Sequence, residues 1–285
     1  MSKEGERHEI LSPAAKTVRW IISVLLIIYT CLTIFVITET LIDSFKTKGD
    51  LVTNFFGLPK VLTWVNYMTV LLEDRFFLYF KNSLLLTFCG SFGCILLSSM
   101  TAYGIARYKF KGKAFITSYF LIGMMVPVQV SVLPLFLILK NIGLLNKLPG
   151  LILVYMSSIS LSCYIFQKFF KTIPAALEES GRLDGAGDFR IFFRIIVPIS
   201  KPVIFTMALI TGISQWNDFY MPMILLGGNN VKSLTLAIYQ YIGQFTRYMS
   251  ESMAAVIITL IPVVIIYFLF STQIVEGLTG GAVKG

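Results

Sequence analysis

A series of long apolar runs constrains this chain more than any other feature of its sequence. Six runs of about twenty residues hold a single acidic residue between them, and each is close to the length that an α-helix needs to cross about 30 Å of hydrocarbon. The runs are Trp20–Thr38, Asn82–Ala106, Ala114–Leu139, Pro149–Gln167, Val203–Leu226 and Ser252–Val275. Because every backbone polar group must be satisfied inside a bilayer, we expect an all-α polytopic protein with six transmembrane helices.

The composition and the placement of charge agree with a membrane protein. With 56% hydrophobic and 14% charged residues, the chain has too little polar surface to cover a soluble domain. The net charge of +9 comes from basic residues at the ends of the apolar runs, which is typical of topology signals and not of nucleic-acid binding. By the positive-inside rule we expect an N-terminal arm, 1–19, and a tail, 276–285, on the cytoplasmic side of the cell membrane, flanking a transmembrane domain over 20–275.

Prolines in the third and fifth apolar runs should interrupt them, and Pro262 lies inside the sixth run. Pro127 and Pro134 lie in the third run with Gln129 between them, and Pro222 lies near the end of the fifth. A proline frees a backbone carbonyl that a neighbouring helix or a polar cavity must satisfy. Gln129 is therefore a candidate for a gate, although kinks of this kind are more often structural.

A long polar insert, 168–202, separates the fourth run from the fifth. Pro174 suits the first turn of a helix, and Gly185 suits a left-handed stop about eleven residues later. A second helix can begin at Asp188 and should end before Pro198. It would carry one apolar face formed by Phe189, Phe192, Phe193 and Ile196. The insert is suited to docking, and a helix lying in the lipid interface would explain the same amphipathic pattern.

The insert also carries a family resemblance. The run Glu179-Ser-Gly-Arg-Leu-Asp-Gly185, followed by nine residues and Ile195-Ile-Val-Pro198, resembles the EAA loop of ABC importer permeases. Further motifs are similar to the MalG-type branch of carbohydrate importers, so that the resemblance covers roughly 55–285. These motifs are Ala102-Tyr-Gly-Ile-Ala-Arg107, Met125-Val-Pro-Val-Gln129 and Gln215-Trp-Asn-Asp-Phe219. The chain departs from the usual loop at Ser180 and Gly181, which replace paired alanines, and at Val197, which replaces leucine.

The resemblance implies a permease subunit that forms, with a second homologous permease, the path for a sugar or oligosaccharide. The insert would be a coupling helix between the fourth and fifth spans that docks on a cytoplasmic ATPase dimer. A solute-binding protein on the other side of the membrane would deliver the substrate. ATP and Mg would be used by the ATPase, and this chain, which lacks a Gly-x-x-x-x-Gly-Lys-Ser/Thr phosphate loop, would bind no cofactor or metal and catalyse no reaction. The coupling residues implied are Glu179, Ser180, Gly181, Arg182, Leu183, Asp184, Gly185 and Ala186.

Asp218 is the acidic residue within the apolar runs, and charge inside a membrane is costly enough to suggest a function. With Gln215, Trp216, Asn217 and Gln129 it could line a polar path, where the indole stacks on a sugar face. Alternatively, Asp218 lies near the outer interface or satisfies a neighbouring helix. The alternative functions are an ABC importer for a non-sugar solute and an ion-coupled secondary carrier. A carrier tends to place several ionisable residues at mid-membrane, and one Asp argues against it.

Overall fold

A computed structural model describes residues 13–73, 75–228, 231–243 and 248–279. All regular structure in these ranges is helical, which agrees with the predicted all-α class. The residues of the expected arm up to 12 and of the expected tail from 280 lie outside the described residues. In chain order the helices are α1 (Pro13–Asp43), α2 (Lys48–Thr53), α3 (Val65–Met68), α4 (Phe76–Arg107), α5 (Lys113–Met125), α6 (Val132–Asn141), α7 (Leu148–Ser157), α8 (Ser160–Phe170), α9 (Ala176–Leu183), α10 (Asp188–Ile191), α11 (Val197–Ile199), α12 (Lys201–Trp216), α13 (Tyr220–Leu225), α14 (Leu234–Gly243) and α15 (Met249–Thr279).

Helices α1, α4 and α15 are each long and apolar enough to cross a membrane unaided. Three further pairs of helices reach that length only when both members are counted, and each pair is bent. The bend is 99° between α5 and the segment that ends with α6, 40° between α7 and α8, and 79° between the segment 188–199 and α12. The described residues therefore hold between three and six candidate spans, as expected for a multi-pass membrane protein.

The third apolar run breaks at only one of its two prolines. Helix α5 ends at Met125, and Pro127 has an extended backbone with ψ of 132°, followed by a 3₁₀ turn over Val128–Ser131. Pro134 instead is the third residue of α6. In the first turn of a helix the N–H groups have no intrahelical acceptor, so a proline there removes no hydrogen bond.

The span expected over Val203–Leu226 is not one continuous helix, because the chain leaves the helix after Trp216 and resumes it as α13. Asp218 lies in the break, and its carboxylate accepts hydrogen bonds from the N–H groups of Tyr220 and Met221. Short polar side chains that bind nearby backbone N–H groups compete with a continuous helix in this way. The loop expected over 227–251 likewise contains α14, whose Leu234 packs in an apolar cluster with α15.

The helix expected to end before Pro198 continues through it. Helices α10 and α11 are joined by a π-helical turn over Phe192–Ile196, which widens the hydrogen-bond ladder just before the proline ring. The wider turn also changes which side chains share a face. Phe192 and Ile196 are buried, whereas Phe189 is 71% exposed and Phe193 is 48% exposed, so the single apolar face predicted for these four residues is wrong.

Helix α4 is central to the packing. It contacts α7, α8, α12 and α14 along its length. Its C-terminal end enters an apolar cluster that includes residues of α8, of the π-helical turn and of α12, among them Phe166, Ile196 and Met207. Nearer its start, Leu86 belongs to a second cluster with α7 and α13. One helix thus runs from the polar insert towards the break at Asp218.

Candidate functional site

The polar insert folds locally much as its sequence predicts. Helix α9 follows Pro174 by two residues, and Gly185 ends it with a φ of 76°, in the left-handed region that glycine adopts without steric cost. Gly181 is buried against the next helical segment. A Cβ atom at this position would lie 2.8 Å from Ile195 Cδ1. The absence of a side chain at Gly181 therefore lets α9 pack closely on the segment that leads into α12.

The eight residues predicted to form the coupling contact lie mostly on the open face of the insert. Leu183 is 89% exposed, and it lies among polar side chains. The other exposed members of the set are Glu179, Ser180, Arg182, Asp184 and Gly185, whereas Gly181 is buried and Ala186 is half-buried. The arrangement offers an apolar side chain surrounded by charged groups to a partner.

Glu178, which the sequence analysis did not single out, is buried on the other face of α9, with 5% of its surface exposed. Its Oε1 lies 2.5 Å from Nε of Arg107, at the end of α4, and its Oε2 accepts a hydrogen bond of 2.9 Å from the hydroxyl of Tyr103. Arg107 also donates from Nη2 to the carbonyl of Ile173, at 2.8 Å. Glu178 is three residues before the buried Gly181, so helical spacing is the sequence signal that places it inward.

A second ion pair in the insert is exposed. Arg182 Nη2 lies 3.1 Å from Asp188 Oδ1, and about half of each side chain is accessible. Exposed pairs of this kind contribute little to stability. Tyr108 lies close by, and burial followed by a hydrogen bond to Asp188 raises the pKa of its hydroxyl above the usual value. The α9–α10 turn is thus tied to the loop that follows α4 by a small polar network.

A cavity of about 440 Å³ with polar groups in an otherwise apolar wall, called the polar cavity below, lies near the middle of α4. It is bounded by α4, α7, α8, α12, α13 and the 3₁₀ turn after α5. Hydroxyl, amide and carboxylate groups make up its polar lining, which matches the hydrogen-bonding groups that a neutral polar solute requires. The polar residues that line it are Gln129, Tyr155, Ser158, Ser162, Thr211, Ser214, Gln215, Asp218 and Tyr220.

Asp218 combines a structural contact with a place in the cavity wall. Its Oδ1 accepts hydrogen bonds from the N–H groups of Tyr220, at 2.9 Å, and Met221, at 3.2 Å. Its Oδ2 accepts a hydrogen bond of 2.8 Å from the hydroxyl of the buried Tyr155 on α7. These bonds fit the alternative in which Asp218 satisfies neighbouring helices. They also orient two side chains along the cavity.

Gln215 and Gln129 line the same cavity as Asp218, whereas Trp216 and Asn217 do not. Gln215 Oε1 accepts a hydrogen bond from the hydroxyl of Ser91 on α4, at 3.1 Å. Trp216 is 8% exposed and packs edge-to-face on Phe80, with ring centroids 5.8 Å apart. Asn217 donates to the carbonyl of Ile213. Trp216 lies on a different side of α12 from the one that lines this cavity.

A second and larger cavity, of about 570 Å³, is almost entirely apolar. Phe88, Phe92, Trp216, Pro262 and Ile266 are among the residues that line it, between α4, α12 and α15. It offers few partners to a sugar hydroxyl. Within the described ranges, no group of three His, Cys, Asp or Glu side chains is placed to hold a metal ion.

Comparisons with known proteins agree with these features. The family model described as "Binding-protein-dependent transport system inner membrane component" matches residues 94–279, a range that contains the insert and most of the cavity wall. The chain is 34% identical over 245 residues to the probable starch degradation products transport system permease protein AmyC of Thermoanaerobacterium thermosulfurigenes, covering 86% of this chain and 89% of that one. It is 31% identical over 279 residues to the arabinooligosaccharides transport system permease protein AraQ of Bacillus subtilis, covering 96% and 99%.

A solved structure shares the fold. A chain from the crystal structure of a bacterial ABC transporter involved in the import of the acidic polysaccharide alginate matches with a TM-score of 0.79 and 21% identity. The match covers 92% of this chain and 98% of the other. The helical arrangement described above is therefore also the fold of a chain of that transporter.

Proposed function

The chain belongs to the inner membrane components of binding-protein-dependent transport systems, and on that premise we propose that it is a permease subunit of an ABC importer that carries a sugar or oligosaccharide. The observation that carries this proposal is the family match over 94–279, which includes both α9 and the polar cavity. The MalG-type resemblance of the sequence is confirmed by the same match and by sugar-permease relatives. These findings support the importer and not the ion-coupled carrier.

A carbohydrate is the solute class that the cavity and the relatives favour together. AmyC and AraQ are named for the transport of starch degradation products and arabinooligosaccharides. The cavity beside Asp218 offers both donors and acceptors, as neutral sugar hydroxyls require. Asp218 is already engaged by Tyr155 and two N–H groups, so its charge is partly balanced before a solute binds. Gln129, Gln215 and Asp218 are accordingly proposed as part of the solute path, and Trp216 and Asn217 are left out of it.

Energy enters the importer at α9. We assign the exposed residues Glu179, Ser180, Arg182, Leu183, Asp184 and Gly185, together with Gly181 and Ala186, to the contact with a cytoplasmic ATPase dimer. Their exposure and their resemblance to the EAA loop support this assignment. ATP and Mg would be used by the ATPase and not by this chain. The remaining partners proposed are a second homologous permease, an extracytoplasmic solute-binding protein and the lipid bilayer.

The positive-inside rule supports a six-span topology with both termini and α9 in the cytoplasm. In this arrangement each of the bent pairs α5–α6 and α7–α8 acts as one span, the fifth span begins with α12, and the coupling loop 168–202 lies between the fourth and fifth. The transmembrane domain comprises 20–275, with the arm 1–19 and the tail 276–285 on either side of it. Cysteine accessibility from each side of sealed vesicles tests the orientation.

Purification of the chain with its partners tests the function. The assembly is expected to show ATPase activity that a loaded solute-binding protein stimulates, and Glu179→Lys or Gly185→Asp is expected to lower that stimulation or to release the ATPase. Wild-type transport in both variants would contradict the assignment of α9. Uptake by the chain alone in vesicles, driven by an ion gradient, would contradict the importer.

A further inference from the structure

We propose that three side chains, Tyr103, Arg107 and Glu178, form a joint that transmits movement of α9 to α4. The inference rests on the proposed function, in which α9 receives force from an ATPase. It goes further by assigning an output from α9 to the helix that borders the polar cavity. None of the three residues lines the polar cavity, so we assign them as positioning residues for coupling.

The contacts of the joint connect parts of the chain that are distant in sequence. Glu178 binds Arg107 Nε through one carboxylate oxygen and the Tyr103 hydroxyl through the other. Arg107 adds a hydrogen bond to the carbonyl of Ile173, which lies between α8 and α9. Both carboxylate oxygens are thus directed at α4. Such a carboxylate cannot rotate or slide along α4 without losing at least one of its contacts.

Burial makes the joint stiff. The side chains of Arg107 and Glu178 are only 14% and 7% exposed, and the aromatic ring of Tyr103 packs on Phe170 and Phe192. Opposite charges attract more strongly where water is excluded, and separating them there leaves each charge without a partner. Movement of α9 together with α4 is therefore less costly than movement of α9 away from α4.

Without the joint, α9 is linked to the cavity mainly through its two neighbours in the chain. Helix α8 precedes it, and the segment 188–199, on which Gly181 packs, leads from it into α12. Helix α4 is reached only by non-covalent contacts. It carries Cys94 in the cavity wall and the Ser91 hydroxyl that binds Gln215. The joint thus adds α4 to the cavity helices that are linked to α9.

The two faces of α9 suit this role. The outward face carries Glu179, Ser180 and Leu183 for the partner, while Glu178 and Gly181 point inward. A helix held firmly on one face passes a displacement applied on the other face to whatever holds it. The adjacent carboxylates Glu178 and Glu179 therefore have different tasks, transmission and docking.

A cysteine reporter in the cavity tests the joint. Ser214→Cys is introduced into a background in which Cys31, Cys89, Cys94 and Cys163 are alanine, and the assembly that co-purifies with the chain is placed in vesicles. The rate of labelling by a membrane-impermeant maleimide is measured with and without ATP and orthovanadate, together with the binding of labelled ATP. Arg107→Gln and Glu178→Gln are compared with Lys109→Gln, which removes a positive charge from an exposed position two residues beyond α4.

The nucleotide-dependent change in labelling rate is expected to fall about fivefold or more in Arg107→Gln and Glu178→Gln, since coupling between sites commonly amounts to factors of about 5 to 150. ATP binding should stay as in the reporter background, and Lys109→Gln should keep the full change. A purely structural role would lower ATP binding and the labelling change in parallel, and that result would overturn the proposal. Full retention of the change in both Gln variants would overturn it too.

Tyr103→Phe keeps the test decisive if the Gln variants do not assemble with their partners. It deletes one oxygen and leaves the ion pair in place, so a reduced labelling change with normal ATP binding supports the joint, and an unchanged one overturns it. A reporter background that shows no nucleotide response at all contradicts the proposed function, and the joint with it. A response in the background that survives in every variant contradicts the joint alone.

Discussion

Two carboxylates in this protein each accept a hydrogen bond from a tyrosine, and they differ in what else holds them. Tyr103 donates to Glu178 at 2.9 Å, and Tyr155 donates to Asp218 at 2.8 Å. Glu178 is also paired with Arg107, about seventy residues away in sequence. Asp218 is held instead by two main-chain N–H groups from its own neighbours. The first arrangement fastens separate helices together, and the second shapes a local break.

The difference shows how one functional group, a carboxylate, serves two purposes in the same membrane protein. A buried ion pair is rigid because separating its charges exposes each of them to a low-dielectric interior. A carboxylate held by dipoles keeps its geometry without a cation, so the cavity beside it presents hydrogen-bonding groups and no strong positive charge. The rigid arrangement suits transmission of force by Glu178, and the dipolar one suits contact between a neutral solute and Asp218.

The largest effect on stability is expected at Arg107. Arg107→Ala leaves Glu178 buried without its cation, and breaking a buried pair in this way costs about 3–5 kcal/mol. The double replacement of Arg107 by Met and Glu178 by Leu removes both charges and should cost far less. Thermal unfolding of the detergent-solubilised assembly measures both. If the single and double variants lose equal stability, the cost does not come from an unpaired buried charge. The ion pair would then not be what makes Glu178 different from Asp218.

Asp218 should show a smaller loss and tolerate a neutral acceptor. Asp218→Ala leaves the Tyr155 hydroxyl and two N–H groups without their acceptor, at an expected cost of about 2–3 kcal/mol. Asp218→Asn retains an acceptor oxygen and should lose less. The same unfolding measurement compares them. If Asp218→Asn loses as much stability as Asp218→Ala, the negative charge of Asp218 is itself required. Asp218 would then resemble Glu178 more than its contacts indicate.

The end of α9 offers a test that involves no charge. Gly185 has a φ of 76°, and an alanine there is expected to cost about 1–2 kcal/mol from steric strain in the left-handed region. Gly187, two residues on, has a φ of −73° and open space around it, so Gly187→Ala is the matched control and should cost less, about 0.5 kcal/mol for losing glycine at the N-cap of α10. Similar losses at both positions would show that the turn does not depend on the backbone conformation of Gly185.

The smallest effect on stability is expected at Glu179. Substitutions at exposed positions usually change the free energy of unfolding by less than about 0.5 kcal/mol. Glu179→Gln should therefore unfold like the wild type while retaining less ATPase subunit during purification. The adjacent Glu178→Gln should have the opposite pattern, with a lower unfolding temperature and normal retention of the ATPase subunit. Loss of stability in both variants would remove the distinction between the two faces of α9.

Much of the local structure could be predicted because it depends on neighbours in the chain. The apolar runs indicate membrane helices, Pro127 breaks one of them, and Gly185 ends α9 in the expected conformation. The errors arose where one local pattern allows two outcomes. The π-helical turn before Pro198 changed the phase of the segment, so Phe192 is buried and Phe189 is exposed.

The sequence by itself determined the class of protein, its family and the position of helix α9, since length, hydropathy and motif spacing are local properties. Only the tertiary structure decided that Glu178 meets Arg107, that Gln129 and Gln215 border the same cavity as Asp218, and that Trp216 does not. Those outcomes depend on how helices far apart in the chain rotate about their axes when they pack. A rotation of about 100° per residue sends neighbouring side chains in different directions, and only packing decides what each of them meets.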